Sequence, residues 1–225
     1  MFKRQVRRLE LWRAVEAQHV ISTMVLVDTA AEQQLLEELI ESTKPPPPAD
    51  TAHLHYLLFT PFRYPPFGRG SRFRGSADPG VFYGAEAIRT ACAELGYWRW
   101  RFVSDSPALA GLEPKPQTVF SVSVQGSAID LRRPPYARRR KLWTDPNDYG
   151  PCQALADEAR QDGVTLIRYE SVRDPEHGGA AALLSPKAFA RRKPVRTETW
   201  YLVVTRERVR WYPVEGRSGF EFQFT

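Results

Sequence analysis

Between positions 63 and 94 the chain gathers the side chains best suited to holding and altering an anionic ligand: Arg63, Arg72, Tyr83 and Glu94. Guanidinium groups bind phosphate or carboxylate oxygens through charge-assisted hydrogen bonds. The tyrosine and the carboxylate stand in the same compact unit as the arginines. Together they suit an anionic ligand with a sugar to be worked on. Singly, each has an ordinary reading: loop arginines are commonly solvated, Arg72 can brace its loop, Tyr83 can be a core aromatic, and a glutamate near a helix end is often a surface residue.

Four elements must position these residues. The uncharged run Leu54 to Phe59 predicts a buried strand ending at Pro61, which leaves Arg63 just beyond it. Pro65 to Gly80 holds four glycines and three prolines, a composition for tight turns and for backbone that approaches a ligand closely. Val81 to Tyr83 predicts a short strand. A helix follows from near Ala85, with Ala87, Ile88, Ala91 and Leu95 at helical spacing, so Glu94 lies near its apolar stripe.

The order of these residues resembles the RES-domain family, toxins of bacterial toxin–antitoxin pairs. The likeness runs through Arg63, Gly70-Ser71-Arg72-Phe73, Gly80-Val81-Phe82-Tyr83 and Thr90-Ala91-Cys92-Ala93-Glu94, and on to the strand Gly163 to Arg173 that delivers Ser171. It covers roughly Tyr56 to Phe189. The resemblance implies an α+β fold like that of ADP-ribosyltransferase toxins, with a mixed or antiparallel sheet, and NAD as substrate. It implies that Glu94 steadies the ribosyl cation, that Arg63 and Arg72 hold pyrophosphate oxygens, that Tyr83 lies against nicotinamide or ribose, and that the Ser171 hydroxyl fixes the nicotinamide half. Arg63, Glu94 and Ser171 are then the catalytic set. Hydrolysis or phosphorolysis of NAD is the expected reaction. ADP-ribosylation of a protein target, and a catalytically silent nucleotide-binding module, are the alternatives. The expected partner is a helical antitoxin that blocks the cleft, with nucleic acid reached only through it and with a homo-oligomer as an open possibility.

The remainder of the chain fits that reading. Its 225 residues, 42% hydrophobic, are enough for one medium domain with additions, and a net charge of +6 favours anionic ligands or acidic partners. Two cysteines, Cys92 and Cys152, give neither a disulfide framework nor metal-ligand spacing. No apolar run reaches membrane-spanning length, and a cytoplasmic location is expected.

Residues 1–50 predict a separate helical extension. Val6, Leu9, Trp12 and Val15 fall at helical spacing within Phe2 to Val20, and Leu35, Leu36, Leu39 and Ile40 do so within Asp28 to Lys44. Thr29 and Glu32 form a possible capping box, and Pro45 to Pro48 make an extended spacer before a catalytic domain at 51–225. Downstream, Ser106 to Leu112 predicts a short helix, Gln117 to Val124 and Ala128 to Leu131 two strands, and Pro151 to Asp162 a helix stopped by Gly163. Glu198 to Thr205 and Val209 to Val214 predict a closing hairpin. The run Arg132 to Lys141 is basic at six of ten positions but has one aromatic, which suits a solvated loop better than a nucleic-acid site.

Other chemistries lack their parts. Ser171 has no Gly-x-Ser-x-Gly elbow, His53 and His55 have no further ligands to make a metal site, and neither a phosphate-binding Walker loop nor a dinucleotide-binding glycine motif is present.

Overall fold

A computed structural model describes residues 2, 4–17, 26–64, 70–216 and 218–224. The first stretch of the glycine and proline loop, Pro65 to Arg69, and the end of the first expected helix lie outside the described residues.

The fold is α+β, built on an eight-stranded mixed sheet. Strand β1 (Gln5–Glu16) pairs antiparallel along its whole length with β3 (Gly111–Asp130), from Gln5 opposite Ala128 to Glu16 opposite Gln117. The other end of β3 pairs in parallel with β4 (Leu166–Glu170). Strand β4 pairs with β5 (Gly179–Leu183), β5 with β2 (Phe82–Ala85), and β2 returns to β1 through Trp12 and Ala85. These five strands form a closed ring, which leaves them fewer free edges. The N-terminal part of β3 also carries β6 (Arg196–Thr205), which leads to β7 (Val209–Pro213) and β8 (Phe220–Phe222).

Several sequence expectations change here. The first expected helix is β1. Its three-residue apolar spacing is incidental, since Val6 is 75% exposed while Leu11, Trp12 and Ala14 are buried, and what fixes it is the distant partner β3. The second is a helix, α1 (Ala30–Thr43), with the Thr29–Glu32 capping box in place and no buried residue. Leu54 to Phe59 is not a strand; it leads into and begins α2 (Tyr56–Arg63). The His55 Nδ1 accepts from the Leu57 N–H at the helix start, and buried Leu54 and Leu58 lie four apart. A short unbroken apolar run has no period that separates strand from helix. The region expected as a helix at Ser106 to Leu112 is a turn entering β3, and the two strands expected beyond it are one.

Helix α3 (Ile88–Ser104) buries Ile88, Ala91, Cys92 and Val103 against Trp200, Val209 and Trp211. Helix α5 (Gly150–Gln161), preceded by the short α4 (Arg140–Trp143), buries Leu155, Ala156 and Ala159 against Phe73, Ile167 and Tyr169. Pro151 stands in its first turn and Gly163, at φ +72°, ends it. Among the described residues no helix is long and apolar enough to cross a membrane.

Candidate active site

A cavity of about 320 Å³ opens between β1, β2 and α3, closed on its remaining sides by the 70–72 turn, Tyr149, Tyr169 and the 172–173 segment. That volume is at the lower end of the range of about 300–1,000 Å³ for small-molecule sites.

Helix α3 places Glu94 in its wall, partly exposed. The Ser171 hydroxyl donates to Glu94 Oε1 at 2.5 Å and accepts from the N–H groups of Arg173 (3.2 Å) and Asp174 (3.0 Å). Ser171 is fully buried and all three bonds are internal. It therefore fixes the carboxylate from behind rather than facing a ligand. Burial pushes the Glu94 pKa upward, opposed by the Ser171 hydrogen bond and by the charges of Arg72 and Arg173.

The turn carrying Ser171 is pinned to the start of α3. Asp174, 1% exposed, accepts from Thr90 Oγ1 at 2.8 Å and is ion-paired with Arg89. The Ser171 N–H donates to Gly178 O at 2.9 Å. A β-carbon at Gly178 would lie 2.1 Å from Thr90 Oγ1, so only glycine fits.

Arg72 is 8% exposed. Its turn is closed by paired backbone bonds between Ser71 and Arg74, after Gly70 at φ +79°. The Tyr83 hydroxyl lies 2.8 Å from Ser71 Oγ and accepts from the Phe73 N–H at 2.9 Å, and Gln153 Nε2 donates to the Ser71 and Arg74 carbonyls. The guanidinium donates to the carbonyls of Trp143 (2.9 Å) and Asp145 (3.0 Å) and stacks on Tyr149 at 4.8 Å. Tyr83 lines the cavity, while its hydroxyl, pushed up to about 12 by burial, is committed to the turn.

Two further arginines line the cavity. Arg13 on β1 donates to the Tyr83 carbonyl at 2.9 Å and stacks on Phe82 at 4.9 Å; burial lowers its pKa to about 10. Arg173, 9% exposed, donates to Pro146 O (2.7 Å) and the Tyr149 hydroxyl (3.0 Å) and stacks on Tyr97 (4.1 Å) and Trp98 (5.4 Å). Among the described residues neither these two nor Arg72 forms an ion pair with a carboxylate.

The cavity thus unites Glu94, Arg72 and Tyr83, with Ser171 directly behind Glu94. Arg63 does not join them. It lies at the end of α2, ion-paired with Glu41 of α1 at 2.8 Å and bonded to the Pro45 carbonyl. The strand expected to aim it at a ligand is a helix that turns it toward α1. Arg13 was missed because β1 read as a helix, although its place in the alternation Leu9, Leu11, Arg13, Val15 sets a cation among apolar residues of one strand face. Arg173 stood two residues past Ser171 without a signal of its own. His55 serves as a helix cap. Within the basic run, Arg132 joins Glu86, Asp130 and Arg168 in one ion network, and Arg140 pairs with Glu170.

One carboxylate and three arginines therefore share the lining of a single cleft on an α+β scaffold, a set of charges suited to an anionic group. The RES domain family model matches residues 47–204, more than half of the chain, and the chain belongs to that family. No curated protein matches it. A similar solved structure is that of the M. tuberculosis MbcT–MbcA toxin–antitoxin complex, at 10% identity and a TM-score of 0.47, covering 98% of this chain and 87% of that one.

Proposed function

We propose that this protein is a toxin of a bacterial toxin–antitoxin pair that binds NAD in the Glu94 cleft and cleaves its nicotinamide–ribose bond. The observation that carries the reading is a carboxylate locked by a buried hydroxyl in one cleft with three arginines that, among the described residues, have no carboxylate partner. Breaking that bond sends its electron pair out with nicotinamide, which leaves neutral and needs no strong general acid. The sugar passes through a cation-like transition state. Glu94, fixed by Ser171, stabilises that charge, and its negative charge costs no reorganisation because the hydrogen bond already orients it. Arg13, Arg72 and Arg173 neutralise the pyrophosphate, and the Tyr83 ring flanks the nicotinamide riboside half. Water or phosphate then adds at the anomeric carbon. Consumption of NAD arrests growth, and a helical antitoxin restrains the toxin by covering the cleft in the cytoplasm.

The test is release of nicotinamide from NAD by the purified protein, with and without phosphate. Release that depends on Glu94 supports the reading. Binding of a non-cleavable NAD analogue without turnover would make the protein a silent binding module, and label transferred from NAD to a protein would make it an ADP-ribosyltransferase.

A further inference from the structure

The cavity is too small to enclose both halves of a dinucleotide, so part of any such ligand must rest on its rim. One wall of that rim is a ladder of alternating cations and rings. Arg72 stacks on Tyr149 at 4.8 Å, the Tyr149 hydroxyl accepts from Arg173 at 3.0 Å, and Arg173 lies 5.4 Å from the centre of the Trp98 ring. Trp98 both lines the cavity and is 52% exposed. Tryptophan combines a large apolar ring with a polar N–H and suits a site that is half wet, and this one stands at the cavity mouth. Its position is held by two neighbours: Arg173 lies over the ring and Tyr97 packs edge-on at 5.3 Å. It offers a flat apolar surface beside the buried cations Arg72 and Arg173.

The geometry points to Trp98 as the stacking platform for the second, non-reacting base of the substrate, with Arg173 as the residue that positions it. This assignment rests on the NAD reading above and extends it to the adenine end. A purine stacked on Trp98 places its attached phosphates toward Arg173 and Arg72, and leaves the enclosed part of the cleft to the nicotinamide riboside half and Glu94. Trp98 would then set preference for a dinucleotide over a mononucleotide.

The test is calorimetric binding of ADP and of inorganic pyrophosphate to the wild type, Trp98→Ala and Trp98→Phe. It needs no turnover. Wild type is expected to bind ADP more tightly than pyrophosphate. In Trp98→Ala the ratio of the two affinities falls about tenfold, the worth of one base on an aromatic ring, and Trp98→Phe recovers most of it. On NAD the alanine variant raises KM more than it lowers kcat. A wild type that binds ADP no better than pyrophosphate, or a ratio unmoved in Trp98→Ala, overturns the assignment. The first comparison requires no variant and stands even where Trp98→Ala folds poorly. Nicotinamide release is scored separately: cleavage of NAD with an unmoved ratio removes the platform alone, whereas a falling ratio without cleavage removes the reaction and keeps the platform.

Discussion

Opposing influences act on Glu94: burial disfavours its charge, while the Ser171 hydroxyl and two nearby guanidinium groups favour it, and burial prevails. Two predictions follow from the sign. The proposed reaction needs the carboxylate, so NAD cleavage is expected to fall as pH drops through a Glu94 pKa raised above the ordinary carboxylate value. Ser171→Ala removes an influence that lowers that pKa, and the acid limb of the pH–rate profile moves to higher pH; a merely structural role for Ser171 would lower the rate at every pH alike. The second prediction concerns stability. A carboxyl whose folded pKa is raised contributes stability that is complete below the unfolded value and is lost as pH rises through the folded one. Glu94→Gln therefore abolishes cleavage yet raises thermal stability at pH 7 by about 0.5–2 kcal/mol, typical of relieving a strained functional site. Thermal melts should show that gain shrinking toward pH 4.5. Glu94 and Arg72, each with an ordinary reading when taken singly, were expected together from the motif order that resembles the RES family, and the structure places both in one cleft. The role of Ser171 was less legible in the sequence, since a hydroxyl facing inward and one facing a ligand read alike.

At the level of elements, the site depends on how β1 and the 171–178 turn are held. Arg13 enters the cleft because β1 is a strand, and Arg63 stays outside because α2 is a helix. Accordingly, Arg13→Ala should weaken NAD binding by about tenfold or more, as for loss of a charge-assisted contact, and Arg63→Ala by much less. Steady-state KM values for the two variants give the order. The turn is tested by Gly178→Ala, whose β-carbon would collide with Thr90 Oγ1 and lie 2.7 Å from Asp174 Oδ2. We expect a loss of about 1–3 kcal/mol, as for a broken buried hydrogen bond, together with lost cleavage because Ser171 shifts away from Glu94. Elements closed by local chemistry were readable in the sequence: α1 through its capping box, α5 through Pro151 and Gly163, and the β6–β7 hairpin through its short connection. Those decided by distant partners were not. β1 needs β3, more than a hundred residues away, and α2 has too few turns to display a period.

At the scale of the whole molecule, the basic character forecast by a net charge of +6 is not spread evenly. Part of the 132–141 run is consumed in ion networks with Glu86, Asp130 and Glu170, whereas among the described residues the arginines of the cleft bond to carbonyls and a hydroxyl rather than to carboxylates. This placement was invisible in composition, which counts charges without their partners. The family match begins at residue 47 and ends at 204, but the hydrogen-bonded ladder extends past both limits. β1 covers the flank of β3 from Gln117 to Ala128, and Trp211 of β7 covers Leu202 of β6. A fragment trimmed to the matched residues would bare both flanks, and an uncovered apolar strand invites pairing with other chains. Size-exclusion chromatography of such a fragment should show aggregates where the full chain runs as a discrete species. Anyone choosing where to shorten this polypeptide for expression is thus better guided by its strand register than by the span of its kinship.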